Sequence, residues 1–500
     1  MRSDGRPAGA PLRVGVVGGG VSGLVVAREL ARAGAEVTVF EAAEQLGGRI
    51  AGTELAGRAV DVGAEAFATR GGHVRELLTE LGIADDCVAP APLGSWLVDG
   101  TDGSAAPLPP AGTLGIPAAP LSAATRRVLG LRGALRAAAE PLLPARVGRG
   151  SETIAELVHA RSGPAVLEQL VRPVTLGVYS APPERLPLGV LPGLEAEVRR
   201  TGSLHRAARA LRGRTSAAGG AVATLRGGMS ALVGALSRAV REAGGELRTG
   251  VRVTGLDTSR AAVGAGTGNG IGILGTVGDA AGSSELVRVD AVVLATPESA
   301  ARAILGLPAV ADAESTVEVV VLALDRAHPA VAPLVRAPRG TGALVNAAAG
   351  TPRITAKALT HISRKWPHAT HRDTELVRLS YGRDGAAPAT LGLPDDAVRE
   401  LALRDASAIL GVPLPDDAVQ GLARRTWRMP TRGDRAPITP PAGVLLTGDW
   451  RSGAGFAAVI PAARRTAREL LTAHGVCAHA APPAPPRAAP HDPTPERHSA

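Results

Sequence analysis

The sequence predicts an α/β protein built around a Rossmann-type dinucleotide-binding domain, and three observations lead there. The apolar run Leu12–Val17 is followed at once by Gly18-Gly19-Gly20-Val21-Ser22-Gly23, a G-x-G-x-x-G turn that opens the helical periodicity of Val21–Ala33. Glu36–Phe40 then alternates as a strand and ends at Glu41, 18 residues past Gly23. After a long helical stretch the α/β pattern returns near residue 220, with amphipathic Met229–Ala243 and the strand candidates Glu246–Val253 and Val287–Ala295.

Each part of the turn has a physical reason. Gly18 permits the tight bend, Gly20 lets the backbone approach a pyrophosphate at the helix N-terminus, and Gly23 allows close helix–strand packing. Ala27, Leu30 and Gly34 fall at the inward positions of the unit. The carboxylate of Glu41 can accept both hydroxyls of a ribose, which disfavours a 2′-phosphate and hence NADP.

Residues 111–215 read as mainly helical, with Ala123–Glu140 and Ser151–Arg161 as Leu/Ala-rich, Arg-studded segments. Ala261–Ser284 is crowded with Gly and Ala and is expected to be a long hairpin loop. Strands are expected at 315–325 and 374–383, and Pro482–Ala500 reads as a disordered Pro/Ala-rich tail.

Composition bounds the function. The 500 residues are 45% hydrophobic, enough for a globular chain and too long for one compact core. The formal charge of +9 favours anionic partners, but nine aromatic residues leave few rings for base stacking and no run of basic residues appears, so nucleic acid is not expected. Lys357 and Lys365 are the only lysines; Arg supplies the other basic groups. Cys87 and Cys477 make neither a disulfide framework nor a metal site, which suits a reducing cytoplasm. Met1–Pro11 has no apolar signal segment, and the uncharged stretch Gly103–Thr125 carries too many prolines to span a bilayer. A soluble, cytoplasmic protein is expected, with peripheral membrane contact through Leu121–Arg149 as the lesser possibility.

Further motifs extend the dinucleotide reading. Gly47-Gly48-Arg49 follows six residues after Glu41, and Asp61-Val62-Gly63-Ala64-Glu65-Ala66-Phe67 comes next. Leu445-Leu446-Thr447-Gly448-Asp449-Trp450 and Gly453-Ala454-Gly455-Phe456-Ala457-Ala458-Val459 lie near the C-terminus. Together these resemble the extended FAD fingerprint of the amine oxidase-like flavoprotein superfamily, whose FAD domain is discontinuous. The resemblance implies FAD as cofactor, held by Gly18, Gly20, Val21, Ser22, Gly23, Glu41, Ala42, Gly48, Arg49, Gly63, Ala64, Glu65, Ala66, Val253, Trp427, Gly448, Asp449, Gly455, Phe456 and Ala457. The helix after Gly455 would face the flavin and favour its anionic reduced form. No metal site is expected.

Middle segments narrow the family. Gly177-Val178-Tyr179-Ser180-Ala181-Pro182-Pro183-Glu184-Arg185-Leu186, Thr224-Leu225-Arg226-Gly227-Gly228-Met229, Lys365-Trp366-Pro367-His368 and Leu379-Ser380-Tyr381-Gly382-Arg383 resemble segments of the protoporphyrinogen and coproporphyrinogen oxidases. The implied fold is a discontinuous Rossmann-type FAD domain (residues 11–75, 219–300 and 436–475), a mixed-sheet substrate domain (76–110 and 301–435) and an inserted helical domain (111–218), with a tail at 476–500. The implied reaction is a six-electron, O2-dependent oxidation of a porphyrinogen that yields H2O2. Coproporphyrinogen III stands ahead of protoporphyrinogen IX because its four propionates suit a basic chain. Gly177, Tyr179, Arg364 and Lys365 are the substrate-binding candidates, Arg172 and Arg383 further propionate candidates, and no catalytic side chain is implied. A ferrochelatase-type partner could receive the product. Another amine oxidase-like flavin oxidoreductase, or a non-catalytic FAD-binding relative, is the alternative.

Overall fold

The computed structural model describes residues 10–109, 112–179, 181–215, 222–259, 270–277, 284–310, 314–346, 353–383, 385–431, 437–453 and 455–476. Of the segments discussed above, Ser180, residues 261–269 and 278–283 of the expected hairpin loop, Ala454 and the tail beyond Val476 lie outside these residues, as does the side chain of Tyr179.

A five-stranded parallel sheet carries the N-terminal motif. Its order is Glu246–Arg248, Glu36–Phe40, Arg13–Val17, Ala291–Leu294 and Val444–Leu446, so strands from three distant stretches of chain lie side by side. Such strands are buried on both faces and read as continuous apolar runs; Ala291–Leu294 is buried at every residue. On one face helix Val21–Arg32 packs with helix Ser230–Glu242 and helix Phe456–Ala473, through Leu24, Leu30, Leu232, Leu236, Ile460 and Ala463. The other face is covered by an antiparallel three-stranded sheet of Val251–Asp257, Ile271–Val277 and Ser284–Val289.

A second, seven-stranded mixed sheet has the order Val419–Pro430, Glu314–Asp325, Thr374–Tyr381, Ala358–His361, Gly342–Asn346, Trp96–Asp99 and Ala105–Pro107. Only the Gly342–Asn346 and Trp96–Asp99 pairing is parallel. One face is closed by helix Asp395–Leu410, with Val320, Leu322 and Leu324 turned toward it. The opposite face presents Val319, Val321 and Ala323 to Leu55, Val60 and Val62 of the N-terminal hairpin. Helices between 123 and 215 build a further core around Ile154, Val158, Leu170 and Ala207. The α/β class, the parallel dinucleotide sheet and the mixed second sheet are thus as the sequence predicts.

Three expectations need correction. Ala261–Ser284 is not all loop, because Ile271–Val277 forms the central strand of the three-stranded sheet, burying Ile271 and Ile273 while its glycines mask the alternation. The Glu246–Val253 strand is two strands in different sheets, parted at Gly250 with φ of +68°. Val287–Ala295 likewise divides at Asp290 into antiparallel Ser284–Val289 and parallel Ala291–Leu294.

Candidate functional site

The first glycine turn leaves Arg13–Val17 and enters helix Val21–Arg32 at Gly20, which caps the helix with no side chain. The first turn of the helix carries no acidic residue, and no side chain caps its amide groups. Gly18 has φ of +106°, and a Cβ there would lie 2.8 Å from the Ala295 carbonyl oxygen. A Cβ on Gly23 would approach the Gly18 carbonyl oxygen to 1.9 Å. Val21 and Ser22 are buried behind the turn, and Ser22 Oγ meets Thr447 Oγ1 at 3.0 Å, tying the turn to the C-terminal strand.

The second glycine turn lies directly on the first. Gly47 donates to the Gly19 carbonyl at 2.9 Å, and a Cβ on Gly48 would come within 3.1 Å of Gly20 Cα. Bare backbone therefore faces bare backbone, a cradle that side chains would fill. At its edge the Glu41 carboxylate accepts from Gly19 N–H at 2.7 Å and from Ala43 N–H at 2.9 Å, with exposed Ala42 between. These bonds hold a negative charge at the end of the strand, where a ribose would be read. This geometry fits the adenosine and pyrophosphate of a dinucleotide. Val253 is buried in the core behind Val17 and Phe40, so its backbone is the only part that could reach a ligand.

The distant pieces converge here. Arg49, after the second glycine turn, forms an ion pair with Asp449, which follows Gly448 at the end of Val444–Leu446. Burial pushes the Arg49 guanidinium below its ordinary value. Gly448 has φ of +130° and Gly455 has φ of +98°, with nothing within 4 Å of a Cβ on Gly455. Gly455 opens helix Phe456–Ala473 without a side-chain cap, and Phe456 and Ala457 begin it.

The Gly63–Ala66 segment touches both Arg49, after the second glycine turn, and Arg378 of the seven-stranded sheet. Ala64 N–H donates to the Arg49 carbonyl at 2.9 Å, and a Cβ on Gly63 would meet that oxygen at 2.2 Å. Ala66 and Trp427 pack against the same apolar cluster, and Trp427 Nε1–H donates to the Val62 carbonyl at 2.8 Å. Glu65 forms an ion pair with Lys365 and accepts from Arg378 Nη1 at 3.3 Å, while Arg378 Nη2 donates to the Gly63 carbonyl at 2.7 Å. Burial alone would raise the Glu65 carboxyl, but the two cations outweigh it and hold it below its usual range.

The basic substrate candidates are engaged with the protein itself. Arg364 donates from Nε and Nη2 to the two oxygens of buried Glu375, both at 2.6 Å, and His361 Nε2 lies 2.9 Å from the same carboxylate. Arg172 is bound by Glu168 and Glu184, and Arg383 donates to the carbonyls of Val345 and Ala356. Arg364, a substrate-binding candidate, is thus clamped on Glu375 through Nε and Nη2. Gly177 sits where helix Arg172–Tyr179 meets strand Gly342–Asn346; a Cβ would strike Leu344 Cδ2 at 2.3 Å.

Sequence reasoning missed Arg378 and the partner role of Glu375. The available signal was an Arg inside the apolar run Leu376-Val377-Arg378-Leu379. Asp61 was missed as a titrating group. It accepts from Met229 N–H at 3.1 Å, and burial pushes its carboxyl up to about 6. Because the folded value exceeds the unfolded one, stability falls as pH rises between about 4 and 6 and the penalty is complete above that range. Asp61→Asn keeps an acceptor for Met229 and should therefore stabilise the protein at pH 7 by on the order of 2 kcal/mol, with no gain at pH 4. Thermal melts at the two pH values check this, and an equal effect at both would contradict it.

Two glycine turns, a carboxylate at the end of the second strand and a third glycine segment from the far end of the chain fit a Rossmann-type dinucleotide-binding protein. The family model for flavin containing amine oxidoreductase matches residues 21–471, and the chain belongs to that family. It is an FAD-dependent oxidoreductase. Its curated relatives include the coproporphyrinogen III oxidase of Mycobacterium leprae, 30% identical over 406 residues that cover 77% of this chain and 82% of the relative. The protein of the same name from Bacillus subtilis is 24% identical, covering 77% and 79%. Among solved structures, one from Exiguobacterium named for protoporphyrinogen oxidase aligns with a TM-score of 0.74 at 20% identity, over 93% of this chain and 99% of that one. Cyclohexylamine oxidase from Brevibacterium oxydans aligns at 0.60 and 16% identity, covering 93% and 99%. At these identities the solved structures show a shared fold.

Proposed function

We propose that the protein oxidises coproporphyrinogen III to coproporphyrin III with FAD and O2, releasing H2O2. The observation that carries this reading is the similarity, over 77% of this chain, to relatives named coproporphyrinogen III oxidase, on a chain whose glycine turns pack backbone to backbone. FAD supplies the hydride acceptor when bound. The chain's part is to hold it: amides of the Val21–Arg32 helix for the pyrophosphate, Glu41 for the ribose, and Arg49, Gly63–Ala66, Trp427 and Gly448–Asp449 along the remainder. Gly177, Tyr179 and Lys365 are our candidates for contact with the substrate, and no side chain is assigned as general base. Loss of hydride from a meso carbon and of a proton from a pyrrole nitrogen removes two electrons. Three rounds remove six and reduce three O2 to three H2O2.

An aerobic fluorimetric assay with coproporphyrinogen III and protoporphyrinogen IX side by side tests the reading. Coproporphyrin with stoichiometric H2O2, formed faster than protoporphyrin, is expected; preference for protoporphyrinogen would transfer the assignment to that substrate, and no porphyrin from either would reject both. A ferrochelatase-type enzyme would consume the product after its metal-free macrocycle is complete.

No helix among the described residues is long and apolar enough to cross a membrane. We place the protein in the cytoplasm with peripheral contact to anionic lipid through residues 121–149. Leu131, Leu135 and Leu142 are 62%, 52% and 86% exposed beside the exposed Arg126, Arg127, Arg132, Arg146 and Arg149. The single carboxylate there, Glu140, is buried against Arg161. Leu131→Glu with Leu135→Glu should abolish co-sedimentation with phosphatidylglycerol vesicles; unchanged sedimentation, or none by the parent protein, would contradict the contact.

A further inference from the structure

The segment Gly63–Ala66 belongs to the half of the molecule that forms the cofactor cradle, yet the other half holds it. Lys365 follows strand Ala358–His361, and Arg378 lies on strand Thr374–Tyr381 of the seven-stranded sheet. Both side chains end on Glu65, and Arg378 also reaches the Gly63 carbonyl. All three side chains are less than one-fifth exposed. The Lys365 ammonium lies 4.8 Å from the centroid of the Trp366 ring, which excludes water from one side of it. Asp61, four residues before Glu65, adds the second carboxylate of the group. With Asp61 ionised the cluster contains two cations and two anions. Removing one charge leaves an uncompensated charge in a poorly hydrated place, where its field is weakly screened.

We propose that Lys365 and Arg378, acting through Glu65, are positioning residues that seat the Gly63–Ala66 segment and set the electrostatic potential at the flavin, and with it the ease of flavin reduction. The proposal rests on the FAD placement given above. Its logic is one of sign. A flavin gains negative charge on reduction, so loss of a neighbouring cation disfavours reduction and loss of a neighbouring anion favours it. A cluster that only fastened two parts of the fold together would not give opposite signs.

The test measures the flavin midpoint potential and the affinity for sulfite, an anion that combines reversibly with oxidised flavin, on the FAD-loaded full-length protein. Lys365→Met should lower the potential and weaken sulfite binding about tenfold, equivalent to about 30 mV for a two-electron couple. Glu65→Gln should shift both quantities by a similar amount in the opposite direction, and Lys365→Arg should leave both near the parent values. Shifts of the same sign in Lys365→Met and Glu65→Gln, or shifts below twofold in variants that retain FAD, would overturn the proposal. If Lys365→Met loses its flavin, the nearly isosteric Glu65→Gln decides alone, because only the electrostatic role predicts tighter sulfite binding. A parent protein that carries no FAD would instead overturn the cofactor placement itself, so the two failures are distinguishable.

Discussion

Gly23→Val should yield a protein that emerges from gel filtration without flavin. The hydrogen on Gly23 faces the Gly18 carbonyl, and a Cβ would overlap that oxygen at 1.9 Å and press on Ala295 Cβ at 3.2 Å. Neither neighbour is the free end of a flexible side chain. Gly18 is backbone in a left-handed turn, and Ala295, which directly follows the adjacent parallel strand, is held by its N–H on the Val17 carbonyl. The helix must therefore move away from the sheet, carrying its amides off the pyrophosphate position. The strain is on the order of 3 kcal/mol or more, at the upper end for overpacking. It falls on the first glycine turn, where the pyrophosphate is proposed to sit. Visible flavin absorbance relative to protein checks the outcome, and a Gly23→Val protein with parental FAD content would contradict the assigned turn.

The second large effect is structural. Glu375→Ala should cost about 3–5 kcal/mol, because it leaves Arg364 and His361 buried without their carboxylate. Glu375 and His361 are fully buried, and the Arg364 side chain is only 14% exposed. Burial would raise the Glu375 carboxyl, but His361 and Arg364 outweigh it and hold it below its usual range. A lowered carboxyl contributes stability above its unfolded value and loses it as pH falls through the folded one. The gap between parent and Glu375→Gln should accordingly begin to narrow as pH falls below the ordinary carboxyl value of about 4.5 and close only below the lowered folded value. Denaturant titrations at pH 7 and pH 4 measure it; a gap of constant size would remove the ion-pair explanation. The same geometry predicts that Arg364→Ala lowers stability while leaving KM near the parental value.

The sequence made the cofactor half of this molecule legible because its signals are local. The glycine turn, the strand before it and Glu41 lie within 30 residues, and glycine is required there by backbone contacts that no other residue tolerates. Signals carried by tertiary partners were not legible. Lys365 and Glu65 are 300 residues apart, so a lysine that reads as a free cation in sequence is already paired in space. Strand Val419–Pro430 was not anticipated because it is an edge strand whose residues are mostly half-exposed, with Arg on both phases and no apolar alternation. Ile271–Val277 was hidden by Gly272 and Gly275, although its isoleucines supply the inward face.

The central claim is that this chain uses bound FAD to oxidise a porphyrinogen. An anaerobic titration of the flavin-loaded protein with coproporphyrinogen III tests it most directly, because reoxidation by O2 is removed. Six electrons per macrocycle and two per flavin predict that three flavins bleach for each coproporphyrin formed, with colour returning on admission of air. A flavin spectrum that stays oxidised in the presence of excess coproporphyrinogen would contradict the account.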